Sequence, residues 1–257
     1  ANIGTTMTGI LLSVGIGDIA PAIAFIGVAL IMFSKDDKKN KLGVIIAGLG
    51  ILFLGMNMMS DAMRGMRDNQ MFINLMTSLR NPILGVLVGT IFTALIQSSS
   101  ASIGILQALS VTGVIGYDVA IPMVVGMCIG ACAPVLLSAI GANINGKRTA
   151  FIYLFFNLAG ALLLMIPFYI VNAFVHFDFL DLPAASLGIA IVNTVFKVAA
   201  TILLMPFSKL LVKLVTVVIN DKSGAEDDEY EENLLDERFL NYPPLALEQS
   251  GKTMDQM

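Results

Sequence analysis

Long apolar runs limit the fold of this chain more than any other feature of its sequence. A membrane-spanning helix needs about 20 apolar residues, and three runs reach that length: Leu42–Ala62, Thr149–Val175 and Ala184–Val212. Only 13% of the residues are charged, against about 25% in a typical soluble domain. We therefore expect an all-α polytopic membrane protein rather than a soluble enzyme.

Charge separates a membrane body from an acidic tail. Residues 1–220 hold 12 Lys or Arg and 8 Asp or Glu, whereas residues 221–257 hold 3 and 11. The composition of the tail predicts a disordered or partner-docked segment. No basic cluster is interleaved with aromatic residues, so we expect no nucleic-acid partner.

Lysine and arginine also predict the orientation in the membrane. The basic segment 35–41 holds four lysines, and Lys209 and Lys213 lie at the end of the last apolar run. Because cytoplasmic loops carry an excess of Lys and Arg, both places are predicted to be cytoplasmic. The acidic tail follows the second of them and is therefore expected on the same side.

One polar cluster interrupts the apolar sequence. Gln97-Ser98-Ser99-Ser100 lies between two short apolar arms, Pro82–Ile96 and Ala101–Gly116. Irregular backbone at membrane depth persists only where it is buried in protein or lines a wet cavity. The pattern predicts helix, break, helix, with the break near the midplane. Arms of this length fit tilted spans, interfacial helices or the halves of a re-entrant hairpin.

Two weak signals concern packing and repetition. Gly85/Gly89 and Gly126/Gly130 are GxxxG pairs, which are typical of close helix contact. Offsetting the chain by 126 residues superposes the segment that begins at Asn2 on the one that begins at Cys128, with four identities up to Gly15. Paired repeats with broken helices are typical of secondary transporters.

If the repeat is real, it determines which residues belong to each half of the protein. The first repeat's own QSSS would then lie about 29 residues before Ala1, so we expect the first repeat to be truncated here. The predicted parts are the tail of the first repeat in 1–34, a basic cytoplasmic loop in 35–41, the second repeat with the terminal helices in 42–219 and the acidic tail in 220–257.

The motifs resemble those of a known family. Thr93–Ala101, TALIQSSSA, looks like the signature of the type II sodium-dependent phosphate cotransporter family, and Asn2–Thr8, NIGTTMT, resembles its second signature. Residues 234–240 and 246–249 resemble the bacterial branch, in which a PhoU-like helical domain follows on the cytoplasmic side. The resemblance implies inverted repeats with re-entrant hairpins, a bacterial inner-membrane location and a PhoU-like domain or soluble regulator at the tail.

The resemblance also implies two binding sites. Inorganic phosphate would be bound by Gln97, Ser98, Ser99 and Ser100, whose neutral donors add to the start of the following half-helix. The coupling ion would be sodium, held by side-chain oxygens and carbonyls of Asn2, Thr5, Thr6, Thr8 and Thr93. The alternatives are a serine-rich kink for the first group and capping or packing for the second.

Lys197 is a third candidate. It is the clearest charge deep in a predicted span, and such residues are functional candidates by default. Asn193 and Thr201 lie four residues to either side on the same helical face. We consider a role in ion coupling for all three, with a structural lysine as the alternative. In the second repeat, Cys128 and Cys132 stand where the NIGTTMT motif has Asn and Thr. This change weakens a claim of full sodium coupling.

The expected function is secondary transport of phosphate coupled to sodium across the lipid bilayer. We expect no other cofactor and no enzyme activity, since no P-loop, HExxH or GxSxG motif occurs in the sequence. The alternative is a membrane-embedded regulatory or scaffold module whose acidic tail recruits a soluble partner.

Overall fold

The computed structural model describes residues 2–13, 19–34, 36–65 and 67–219. These ranges contain eleven α-helices and no strand, as the all-α prediction requires. The chain divides into a compact unit, Ala1–Val215, and a second unit, Thr216–Met257, of which only residues 216–219 are described. The helices are α1 Thr6–Leu12, α2 Ala20–Phe33, α3 Asp37–Arg64, α4 Gln70–Ser78, α5 Pro82–Ile96, α6 Ser99–Ser110, α7 Tyr117–Gly130, α8 Ala133–Ser138, α9 Ile144–Val175, α10 Ser186–Leu204 and α11 Ser208–Val218.

In the described part of the chain, four helical segments are long and apolar enough to cross a membrane. They are Asp37–Arg64, Tyr117–Gly141, Ile144–Val175 and Ser186–Val218. Three of them coincide with the apolar runs predicted as spans. The segment that starts at Tyr117 was not predicted as a span, because Pro122 and Pro134 interrupt its sequence. Helices α4 and α5 pass the same test together but are bent by 110° at the residues between them.

Glycines bring α5 and α7 into backbone contact. A side chain at Gly126 would overlap the backbone of Val86, and one at Gly130 would overlap that of Thr90. The Thr90 hydroxyl also donates to the Gly126 carbonyl at 3.0 Å. The close contact predicted from this GxxxG pair is therefore confirmed.

Helices α5 and α6 form a hairpin with its tip at Gln97. Arg80, just before α5, pairs with Asp118 of α7 at 3.0 Å, and the loop after α6 leads directly into α7. Both open ends of the hairpin therefore lie beside the start of α7. The tip lies near the other end of α7, because Gly130 packs against Thr93.

Helix α1 packs between α6 and α10. Gly9 faces Ile103 of α6 on one side and Ala190 of α10 on the other. The buried Gln107 amide donates to the carbonyls of Gly9, at 2.9 Å, and Ser186, at 3.0 Å. One side chain of α6 thus joins the N-terminal segment to the start of α10.

The predicted loop 35–41 is wrong beyond its first residues, because helix α3 begins at Asp37. Asp36 caps this helix by accepting from the Lys38 N–H at 3.1 Å. One turn later, Lys41 pairs with Asp37 at 2.6 Å. The capping carboxylate and the favourable charge pair extend the helix into the basic segment.

The second apolar arm also has other bounds than predicted. Helix α6 starts two residues before Ala101, and the chain leaves the helix after Ser110, with a left-handed φ of 72° at Gly113. The acidic tail, 220–257, and Gly15, one of the repeat identities, lie outside the described residues.

Candidate functional site

The predicted break between the two arms lies at Gln97 and Ser98. Gln97 ends α5 by donating its N–H to the Thr93 carbonyl at 2.7 Å, and its φ of 59° is left-handed. Non-glycine residues held in this conformation are uncommon and cluster at functional sites. Ser98 then caps α6, because its Oγ accepts from the Ala101 N–H at 3.3 Å. The prediction of helix, break, helix is confirmed.

The polar residues of the break are accessible. Gln97 and Ser98 are exposed, and Ser99 and Ser100 are half-buried. The first N–H groups of a helix have no intrahelical acceptor, and the helix dipole adds partial positive charge at the same end. The start of α6 therefore combines backbone N–H groups with serine hydroxyls, a chemistry that suits an anion.

A buried lysine lies in the middle of α10. Lys197 is 3% exposed and is the twelfth residue of a 19-residue helix. Its Nζ donates to Thr5 Oγ1 at 2.8 Å, and the exposed Thr5 hydroxyl donates in turn to the Asn2 carbonyl at 2.9 Å. The structure thus joins Lys197 to two residues that the sequence predicted as sodium ligands.

Helix α9 holds Asn2 from the other side. The Tyr153 hydroxyl donates to Asn2 Oδ1 at 3.0 Å, and Asn2 Nδ2 donates to Asn157 Oδ1 at 3.3 Å. Asn157 Nδ2 also donates to Cys132 Sγ at 3.4 Å. Cys132 follows Thr6 by 126 residues, the repeat offset. Asn157 therefore contacts both the first motif and its altered counterpart.

Helix α1, which follows Thr5, packs along α6, which follows the break. Gly9 lies four residues after Thr5 and faces Ile103, which lies four residues after Ser99. Gln107, one turn further along α6, donates to the Gly9 carbonyl, which points toward the C-terminal end of α1. Helices α1 and α6 therefore run in the same general direction where they touch.

The other threonines predicted as sodium ligands do not form one group with Asn2 and Thr5 in the described part of the chain. Thr6 is buried and donates to the Ile3 carbonyl at 2.7 Å. Thr8 is half-buried on α1. Thr93 lies on α5 against Gly130, and its buried Oγ1 has no hydrogen-bond partner among the described residues.

Asn193 and Lys197 share a buried face of α10, as the spacing predicts. Asn193 Oδ1 accepts a weak bond from the Cys128 thiol at 3.7 Å. The Thr201 hydroxyl donates to the carbonyl of Lys197 at 2.7 Å. Of the three residues, only Lys197 has a side-chain hydrogen bond to the N-terminal motif among the described contacts.

Tyr153, Asn157 and Gln107 were not predicted as site residues. Each is a polar residue flanked by apolar residues in the sequence, and each hydrogen-bonds to the N-terminal segment, at Asn2 or Gly9. Because polar side chains in membrane helices commonly form such bonds, this isolation was the signal that could have identified them.

A large apolar groove lies apart from these residues. Its cavity volume is about 910 Å³, and α5 and α9 form most of its walls. Ile91, Leu158 and Met165 are among the side chains that line it, and none of the predicted site residues does. Asn81, Thr90 and Tyr169 are its few polar lining residues, and a largely apolar wall offers little to an inorganic anion.

Comparison with known proteins identifies the family. A sequence model described as Na+/Pi-cotransporter matches residues 1–61 and 54–182, which together cover more than half of the chain. The chain belongs to this family. With its four apolar helices of spanning length, this member of the Na+/Pi-cotransporter family is a multi-pass membrane protein.

Three relatives illustrate the similarity. "Putative inorganic phosphate export protein YjbB" of Escherichia coli K12 is 26% identical over 270 residues, which cover 100% of this chain and 48% of the relative. "Uncharacterized protein YqeW" of Bacillus subtilis is 28% identical over 222 residues, 86% of this chain and 71% of the relative. Human "Sodium-dependent phosphate transport protein 2B" is 30% identical over 154 residues, 52% and 22% respectively.

The chain spans about half the length of YjbB and its counterparts in other enterobacteria. No solved structure matches it.

Proposed function

We propose that this chain forms part of a secondary transporter that moves inorganic phosphate across a membrane, with the anion bound at the break between α5 and α6. The observation that carries the proposal is the capped, accessible start of α6 at Ser98, which offers neutral donors to an anion. The names of YjbB and of the human relative, which refer to phosphate export and transport, support phosphate as the substrate.

Sodium is the proposed coupling ion. Asn2 and Thr5 supply the Asn2 carbonyl, the Asn2 side-chain carbonyl and the Thr5 hydroxyl, oxygens of the kind that hard cations prefer. The exposed Thr5 gives this group access to the surface. Thr6, Thr8 and Thr93 are retained as further ligands, with the unpartnered Thr93 hydroxyl as the support for the last of them.

A pair of inverted repeats is the proposed framework. The family model matches the chain twice, in segments that meet near residues 54–61. At the 126-residue offset, α1 corresponds to residues 132–138, where the short helix α8 begins at Ala133 and ends at Ser138. The α5–α6 hairpin, open at one end only, supports a re-entrant segment. The proposed location is a bacterial inner membrane, with the acidic tail in the cytoplasm. A PhoU-like domain or soluble regulator is the proposed partner of that tail.

Phosphate flux tests the proposal. Proteoliposomes that contain the protein should accumulate radiolabelled phosphate under a sodium gradient and lose this uptake with choline in place of sodium. Ser98→Ala/Ser99→Ala should reduce uptake at least tenfold, because it removes two hydroxyl donors. Leu163→Ala, an exposed change on α9, is the matched control and should transport normally. Equal uptake by all variants, with or without sodium, would reject the site.

A further inference from the structure

Lys197 has no anionic partner among the residues that the structure describes. None of the ion pairs between them includes it, although it is 3% exposed. A buried ammonium without a counter-charge is costly, and intramembrane lysines normally pair with an anion or with carbonyls. Within the described part of the chain, its Nζ donates to Thr5 Oγ1, at 2.8 Å.

This same hydroxyl is one of the oxygens proposed to bind sodium. The Thr5 hydroxyl donates its proton to the Asn2 carbonyl at 2.9 Å, so a cation can be bound only by the lone pairs of Thr5 Oγ1. The Lys197 ammonium already takes one of them. A sodium ion on the same oxygen would lie within a few ångströms of Nζ, where two positive charges repel each other strongly in a partly buried site.

Helix α6 packs against the helix that follows Thr5. Gly9 of α1 faces Ile103 of α6, and Thr5 and Ser99 each lie four residues before one of these two contact residues. The four-carbon stem of a lysine lets its ammonium move between nearby acceptors. An anion bound at Ser99 and Ser100 would supply the counter-charge that Lys197 lacks among the described residues.

We propose that sodium and the Lys197 ammonium compete for Thr5, and that sodium displaces the ammonium toward phosphate at the start of α6. This proposal rests on the proposed function and gives its coupling step. Sodium strengthens phosphate binding because it releases a positive charge to the anion. By linkage, phosphate strengthens sodium binding by the same factor, because it holds the competing ammonium away from Thr5.

Two substitutions have opposite expected effects. Lys197→Met removes the competing charge, so phosphate affinity should be low and independent of sodium, while sodium itself should bind more tightly. Thr5→Val removes the shared oxygen and leaves Lys197 free for the anion. Phosphate affinity should then be high without sodium and close to that of the sodium-loaded wild type.

Binding of radiolabelled inorganic phosphate to purified protein in nanodiscs tests this, in sodium chloride and in choline chloride. We expect sodium to raise wild-type affinity by about 5- to 150-fold, the usual range of such couplings. Lys209→Met removes an exposed lysine from α11 and is the matched control, with the wild-type response expected. Melting curves of all variants verify folding.

Each outcome separates the two proposals. Wild type that binds no phosphate in either salt refutes the proposed function itself. A sodium response of wild-type size in Lys197→Met refutes the competition while leaving phosphate transport in place. If Lys197→Met does not fold, Thr5→Val decides: low phosphate affinity without sodium in that variant also refutes the competition.

Discussion

Gly126→Ala should destabilise the protein although alanine is the better helix former. The new Cβ would overlap the backbone of Val86, and the neighbouring helix cannot yield as a flexible side chain could. Overpacking of this kind costs about 1–3 kcal/mol, and loss of the bond from Thr90 to the Gly126 carbonyl costs about 1 kcal/mol more. Helix propensity returns about 1 kcal/mol, which leaves a net loss of about 1–3 kcal/mol.

Gly48→Ala is the matched control. This glycine lies in α3, and an added Cβ would have no neighbour within 4 Å. Only the propensity gain applies, up to about 1 kcal/mol. The two variants should therefore differ by about 2–4 kcal/mol, measured as free energies of unfolding by titration with a denaturing detergent.

The comparison also concerns the site, because α5 carries the break at Gln97. A loosened contact between α5 and α7 should reduce phosphate uptake in Gly126→Ala but leave it unchanged in Gly48→Ala. The reasoning is wrong if Gly126→Ala unfolds at the same detergent concentration as Gly48→Ala or a higher one.

Three further outcomes are expected. Ser98→Asp should keep the cap of α6, so the free energy of unfolding should change by no more than about 0.5 kcal/mol. Its carboxylate should lower phosphate affinity at least tenfold in the nanodisc assay, because like charges repel. Unchanged affinity would place the anion elsewhere. A double-mutant cycle with Asn2→Ala and Asn157→Ala should give a coupling of about 0.5–1.5 kcal/mol in unfolding, and additive effects would mean that their bond is not formed. Cys128 and Cys132, at 2% and 0% exposure, should resist a water-soluble maleimide until denatured, whereas labelling of the folded protein would contradict their burial.

Much of the fold follows from local sequence rules. Apolar run length predicts three of the four spans, and Asn81 with the following proline predicts the start of α5, where the Asn81 side chain accepts from the Ile83 N–H at 3.0 Å. The polar cluster predicts the break at Gln97. These features depend on residues that are close in the chain, so a single sequence is enough to identify them.

The partners within the site could not be predicted in the same way. Lys197 and Thr5 are 192 residues apart, and Asn157 is 155 residues from Asn2. Helix periodicity tells which face a residue occupies but not which helix lies opposite. The packing of the N-terminal segment against α9 and α10 brings these side chains together.

The altered second motif explains why all the proposed cation ligands except Thr93 come from the N-terminal segment. At the repeat offset, Cys128 and Cys132 stand where the first motif has Asn2 and Thr6. Both thiols are buried, and among the described residues they hydrogen-bond to the side-chain amides of Asn193 and Asn157 and to the Tyr153 carbonyl. A neutral thiol is a poor ligand for sodium, a hard cation that prefers oxygen. The second motif therefore contributes packing and hydrogen bonds to the neighbouring helices, while the oxygens proposed to bind sodium include those of Asn2 and Thr5, the latter bonded to Lys197.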